Sequence, residues 1–407
     1  MRKYSQLTLS LLLALGVATT AFAQDKKPEP PKPDTKPVET PKKEETKPAP
    51  KDPKAEAAAK VTELNKKGGE LLEQGKTKEA VEAFQQANAL DKKNIRGFVG
   101  LGDALTREKK YAEAEAAFRT AVELSPNTAG FHLGLGSTLL EQEKYTPAQM
   151  AFERAAELDP NDIRGRLSIG DVFMRSRQYP EARAAYQRAL GFAPNFPGVH
   201  VALGNVYAQE NRYSAALTEY DVALTLDAKT IEARLGRASA LSGLKRHTEA
   251  VKEAEAIKTE FPKEAWAYSG FAQALEAADK REESLAAYAA ALKITPEDAY
   301  VHGNIGWTLY GAGKYEEAVK SSEQALKIDT KLAYVRFNLG LIAAVQNNPE
   351  TAQKSYKEAL PFAALPDIRA AIKDLRDAQK AGKDNDVIKK SIQQLSQAEY
   401  KAIGFTR

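Results

Sequence analysis

Cysteine is missing from all 407 residues, which removes disulfide frameworks, thiolate metal sites and cysteine nucleophiles at once. Histidine is nearly missing, with four copies, so little imidazole is left for metal binding or proton transfer. An excess of one charge is missing too. The 59 lysines and arginines face 55 aspartates and glutamates, a net +4, too balanced for a chain whose affinity comes from neutralising a phosphate backbone. No nucleic-acid partner, cofactor, metal or catalytic activity is expected. Long hydrophobic runs are also scarce: Leu7 to Val17 is about half of the ~20 residues that cross a bilayer.

That short run has a definite pattern. Arg2 and Lys3 precede it and Ala21-Phe22-Ala23 follows as a small-x-small cleavage site, so residues 1–23 read as a secretory signal and the mature chain starts at Gln24. With no cysteine at the cleavage site, lipid anchoring is excluded. The expected location is the periplasm or cell envelope, with no transmembrane helix in the mature protein. Residues 24–60 read as a disordered linker. Between Asp25 and Lys54 there are nine prolines, nine lysines and seven acids, and only Val38 and Ala49 are apolar. Such a stretch buries too little surface to offset chain entropy. A tether and a solubilising spacer both fit it.

From Val61 to Pro366 the sequence repeats every 34 residues without insertion or deletion: 61–94, 95–128, 129–162, 163–196, 197–230, 231–264, 265–298, 299–332 and 333–366. Small residues recur as Gly68, Gly102, Gly136, Gly170, Gly204, Ala238, Ala272, Gly306 and Gly340, and again as Ala80, Ala114, Ala148, Ala182, Ala216, Ala250, Ser284, Ala318 and Ala352. Four residues after the second series come Phe84, Phe118, Phe152, Tyr186, Tyr220, Tyr288 and Tyr356. Apolar residues spaced by three and four on either side of a short polar break make each repeat two helices, with Pro126, Pro160, Pro194, Pro262 and Pro296 between repeats. The fold class is all-α.

This pattern resembles the tetratricopeptide repeat over three quarters of the chain. The resemblance implies a right-handed superhelical solenoid of antiparallel helix pairs, whose first helices line a concave groove that binds peptides or protein surfaces. Residues 367–407 read as C-terminal capping helices, with Ile368, Ile372 and Leu375 on one stripe and Ile388, Ile392 and Leu395 on another.

Two repeats depart from the pattern. In the sixth, Ala254 replaces the ring and Ile257 replaces a small residue, which reads as a volume exchange, with a flexible joint as the alternative. In the eighth, Ser322 replaces the ring, and looser packing is expected. The stretch Gly69 to Thr77 imitates a phosphate-binding loop with one residue too many, and its Gly75 belongs to a turn between helices. His132, His200 and His302 share one repeat position, too far apart to hold one metal ion, and read as packing or groove-edge residues.

Carrying the family's groove positions over, the sixth residues Gly100, Gly134, Ser168, Ala202, Gly236 and Gly270 leave an open floor. One place earlier, Val99, Leu133, Leu167, Val201 and Leu235 form an apolar strip that Asp103 and Asp171 flank. Asn205 stands at one position of the family's carboxylate clamp, but Val201 and Gly236 stand where a basic residue and an asparagine are required. Rings gather in the last three repeats: Trp266, Tyr300 and Tyr334 at one groove-edge position, with Trp307, Tyr310 and Phe337 beside them and Asn304 and Asn338 available to a ligand backbone. Packing against the capping helix is the alternative for these rings. The expected function is a non-catalytic, monomeric envelope scaffold that binds a protein or peptide in the groove. Binding of cell-wall polysaccharide or peptidoglycan through the ring cluster is the alternative.

Overall fold

The computed structural model describes residues 53–403. The signal segment and most of the linker lie outside the described residues. The first helix is Pro53–Glu73, so residues 53–60, which composition assigns to the linker, are helical. Pro53 opens it, where a missing N–H donor costs nothing, and Lys54 to Lys60 are alanine- and lysine-rich helix formers.

The described residues divide into two compact units between Val206 and Tyr207, inside the helix Pro197–Gln209. The N-terminal unit stacks Pro53–Glu73 with Thr77–Leu90, Ile95–Arg107 with Tyr111–Leu124, Ala129–Glu141 with Tyr145–Leu158, and Ile163–Arg175 with Tyr179–Phe192. In the C-terminal unit, Tyr213–Leu226 is followed by the pairs Ile231–Gly243 and His247–Glu260, Ala265–Ala277 and Arg281–Ile294, Ala299–Gly311 and Tyr315–Ile328, and Ala333–Val345 and Pro349–Ala359. The short 3-10 turn Leu360–Phe362 and the helices Leu365–Lys380 and Asp386–Ala402 complete it. These are tandem helix pairs of the kind that build a helical solenoid.

The recurring ring explains why small residues recur. Phe118 is buried between two glycines: a Cβ at Gly102 of its own repeat would lie 2.7 Å from the ring, and one at Gly134 of the next repeat would overlap it. At both positions a methyl group would push the ring aside, so glycine lets the two helices close on Phe118. The alanine at the start of each second helix is fully buried, and Ser284, which replaces it once, donates its hydroxyl to the Ala272 carbonyl at 2.8 Å. In the eighth repeat the helices do not separate around the missing ring. Gly306 closes directly on Ser322, correcting the expectation of looser packing. In the sixth, Ala254 and Ile257 are both buried, and Ile257 packs with Leu235 and Ala267, as a volume exchange requires.

Within each pair the chain turns through one residue with positive φ: Gly75, Lys109, Glu143, Arg177, Asn211, Lys245, Asp279, Gly313 and Asn347, at 58° to 76°. At six junctions between pairs, one side chain of the following first helix reaches back to the turn. The Nε2 atoms of His132, His200 and His302 lie 2.8, 3.2 and 3.1 Å from the carbonyls of Pro126, Pro194 and Pro296. Arg166 and Tyr268 donate to Pro160 and Pro262 from the same repeat position, and Arg336 donates to Thr330. These histidines are turn-tying residues. Among the described residues no cluster of three or more metal-ligating side chains is assembled.

Candidate functional site

The rings expected to form one cluster in the last three repeats divide: Trp266 stands apart, Tyr300 pairs with Tyr334, and Trp307 and Tyr310 pack with Phe337 against the core of the C-terminal helices, the alternative expected for these rings. Trp266, at the start of Ala265–Ala277, leans on Phe261 with ring centroids 5.3 Å apart and packs beside Leu235 and Ile257. Tyr300 and Tyr334, 34 residues apart, lie nearly parallel, 8° between planes and 6.5 Å between centroids. Tyr300 keeps 38% of its surface open. The Tyr334 hydroxyl instead lies over Gly303 and is buried without a hydrogen-bond partner, and this burial pushes the phenol far above its ordinary range.

The third group is a row on the eighth repeat. Trp307 and Tyr310, spaced i and i+3 on Ala299–Gly311, stand 5.3 Å apart, and Tyr310 is 5.9 Å from Tyr315 at the start of the second helix. Lys383, from the turn between the last two helices, places its ammonium 5.3 Å from the centroids of both tyrosines and donates to Tyr315 Oη at 2.7 Å. Burial, then the neighbouring Tyr315 and Asp374, push the Tyr310 phenol up to about 12. Tyr315 and Lys383 were not among the expected site residues. Tyr315 shares its repeat position with Tyr111, Tyr145, Tyr179 and Tyr213 and so reads as repeat structure, whereas Lys383 meets it from 68 residues away.

Three expected contact residues are withdrawn from any ligand. Phe337 is 3% exposed, tilted against Tyr356 at 6.2 Å and packed in one core with Ile368, Ile372 and Leu375 of the C-terminal helices. Asn304 and Asn338 are 5% and 1% exposed. The structural reason is shared: each sits on the face of its first helix that meets neighbouring helices, so none can hold a ligand backbone. The open floor needs the same correction. Gly100, Gly134 and Gly236 are covered by Phe84, Phe118 and Tyr220 of the preceding repeats, so these small residues are seats for rings.

The apolar strip is partly covered. In the N-terminal unit Val99, Leu133 and Leu167 are half-buried and Val201 is buried, with Val99 and Leu133 packed beside Phe118 and Leu135. In the C-terminal unit Leu235 is buried. Both flanking carboxylates are half-buried. Desolvation raises Asp103 to about 6 against the opposing pull of Arg107. Asp171 is also raised to about 6 by burial, although the Tyr186 hydroxyl donates to it at 2.5 Å and Arg175 lies near. Asp171 is therefore already engaged by its own repeat. Asp103 is the freer acceptor for a basic or N–H group.

Two tetratricopeptide repeat models match the sequence, one at 133–200, 270–333 and 305–367 and the other at 71–132 and 173–240, together well over half of the chain. No curated protein matches significantly. Among solved structures, a tetratricopeptide repeat protein from Parabacteroides merdae ATCC 43184 is similar with a TM-score of 0.50 at 16% identity, over 65% of this chain and 98% of its own. Pseudomonas aeruginosa pilF gives 0.42 at 19%, over 51% and 94%. YrrB, described as having an unusual peptide-binding site, gives 0.36 at 20%, over 45% and 96%. With the 34-residue period, the helix pairs and the two family models in agreement, the chain belongs to the tetratricopeptide repeat family of non-catalytic scaffolds.

Proposed function

We propose that the chain is a scaffold that holds a peptide or protein segment against the first helices of its later repeats, and that it works in the cell envelope after loss of residues 1–23. One observation carries the binding site: the recurring rings that close the repeats, Phe84, Phe118, Phe152, Tyr186, Tyr220, Tyr288 and Tyr356, are buried, whereas Trp266, Tyr300, Trp307 and Tyr310 on first helices keep part of their surface in solvent. Aromatic side chains fixed on rigid helices give large contact area at low entropic cost. Stacking on a polysaccharide calls for a row of open ring faces. Of the six rings expected to bind, only Tyr300 is more than a third exposed, which favours protein over glycan.

Photo-crosslinking in cells that make the full chain tests the site. A benzophenone side chain at Tyr300 should trap a protein or peptide, and one at Met150, exposed on a second helix, should not. Adducts at 150 with none at 300 overturn the reading. An N-terminus at Gln24 in an envelope fraction is the result expected for export, and an intact Met1 in the cytosol is the opposite one.

A further inference from the structure

We propose that Tyr310 and Tyr315, with Trp307 packed on Tyr310, form a seat for a primary ammonium group that the chain's own Lys383 fills, and that a lysine of the bound peptide takes this seat when Lys383 withdraws. The inference rests on the peptide-binding reading and names the chemistry of its ligand. The seat already holds a cation: Lys383 Nζ lies 5.3 Å from two ring centroids and donates to the Tyr315 hydroxyl at 2.7 Å. Distances of this kind are those at which a ring quadrupole attracts an ammonium. Asp374, near enough to raise the Tyr310 phenol, adds negative potential beside the rings.

The plug is local. Lys383 follows Gly382, which takes φ 80° in the turn between Leu365–Lys380 and Asp386–Ala402. The helices on either side are anchored independently by Leu375, Ala378, Val387 and Ile388 in the last core, and Asn385 ties the turn to the Ala344 carbonyl at 2.9 Å. Rotation about the four-carbon stem of Lys383 therefore empties the seat without moving a helix. Trp307 and Tyr310 belong to the first helix of their repeat, the kind of helix to which the peptide-binding reading assigns the ligand, and each keeps part of its surface in solvent.

The test is calorimetric titration of the full chain with acetyl-trilysine amide and with the same peptide acetylated on its three side chains. Lys383→Ala should bind the cationic peptide at least tenfold more tightly than the unaltered chain, leave the acetylated peptide unbound, and lose the gain when Tyr310→Leu is added. Equal affinity of both chains, equal binding of both peptides, or no binding by Lys383→Ala overturns the seat. Lys383→Met keeps the apolar stem and separates packing from charge. If Lys383→Ala and Lys383→Met both melt at lower temperature and neither binds, Lys383 is a structural staple and the proposal fails. Crosslinking at Tyr300 that persists through such a failure leaves the scaffold reading standing, and loss of both removes it.

Discussion

The second and sixth repeats have the same backbone and opposite interiors. Ile95–Arg107 and Tyr111–Leu124 correspond residue for residue to Ile231–Gly243 and His247–Glu260, 136 positions on, and both pairs turn through a lysine of positive φ. Where the second repeat has Leu101, Ala117 and Phe118, the sixth has Arg237, Glu253 and Ala254. Arg237 donates to Glu253 at 2.5 Å and to Asp221 at 2.7 Å, and Arg234 joins Glu253 to Glu260. One repeat is closed by a ring between glycines and the other by an ion network plus Ile257. The period therefore fixes the helix pair, while the chemistry that closes it is free to change.

The largest effect should come from the ring. Phe118→Ala removes the side chain that both Gly102 and Gly134 are built to receive, and neither glycine can fill the space, so a loss of about 3–5 kcal/mol is expected. Urea unfolding with hydrogen exchange resolved by repeat measures it, because a solenoid's stability is close to a sum of repeat and interface contributions. A loss below about 1 kcal/mol in the second repeat would mean that the ring is not what closes it.

The sixth repeat should respond to charge instead. Glu253→Ala strips the half-buried Arg237 of one partner and should cost about 1–2 kcal/mol, less than a fully buried pair because both side chains retain some solvent. Adding Arg237→Leu installs the residues of the second repeat at both positions and should recover that loss or exceed it, since an apolar pair of matching size often replaces an ion pair at no cost. The cost of Glu253→Ala should shrink in 1 M salt, and that of Phe118→Ala should not. If Glu253→Ala costs nothing at low salt, the network is decoration and Ile257 alone closes the repeat.

Much of this was legible in the sequence and some was not, for reasons of distance along the chain. The period, the helix pairs and the Ala254–Ile257 exchange are local and could be read directly. Gly134 reads in the sequence as open groove floor because its ring, Phe118, belongs to the preceding repeat. Phe337 reads in the sequence as a groove ring beside the edge position because what covers it, Ile368 to Leu375, comes from helices outside the repeat. Arg237 went unremarked because a single arginine on a surface-like helix carries no pattern until Asp221 and Glu253 are seen around it. The left-handed turn position was invisible for a different reason: only Gly75 and Gly313 advertise it, and the other seven repeats pay for their conformation with ordinary residues.

A smaller contrast lies in pH. The second repeat carries Asp103, raised to about 6 by burial, where the sixth has uncharged Ser239. A carboxyl whose folded value stands above its ordinary 3.8 holds its proton more tightly in the folded chain. Its contribution is complete below about pH 4 and is lost as the pH rises through about 6. Asp103→Asn should accordingly stabilise the second repeat by about 1 kcal/mol at pH 8 and leave it unchanged at pH 3.5, with the sixth repeat unaffected at both. A gain that is equal at the two pH values would assign the effect to packing.

The smallest effect tests whether the two repeats differ only in their interiors. Lys109 and Lys245 occupy the same turn at φ 58° and 62°, a conformation in which Cβ crowds the backbone and which glycine adopts freely. Replacing either by glycine relieves that crowding, and the greater freedom of glycine in the unfolded chain takes part of the gain back. A net stabilisation of about 0.5 kcal/mol is expected, and it should be the same for Lys109→Gly and Lys245→Gly, because the turn backbone is shared and neither lysine enters the ring pocket or the ion network. The comparison is made in matched urea titrations of the two single variants and the double variant. Equal and additive gains place the whole difference between the repeats in what packs between their helices. A gain at Lys109 with none at Lys245 would show that the ion network also constrains its turn, and the sixth repeat would then differ in backbone energetics as well as in its core.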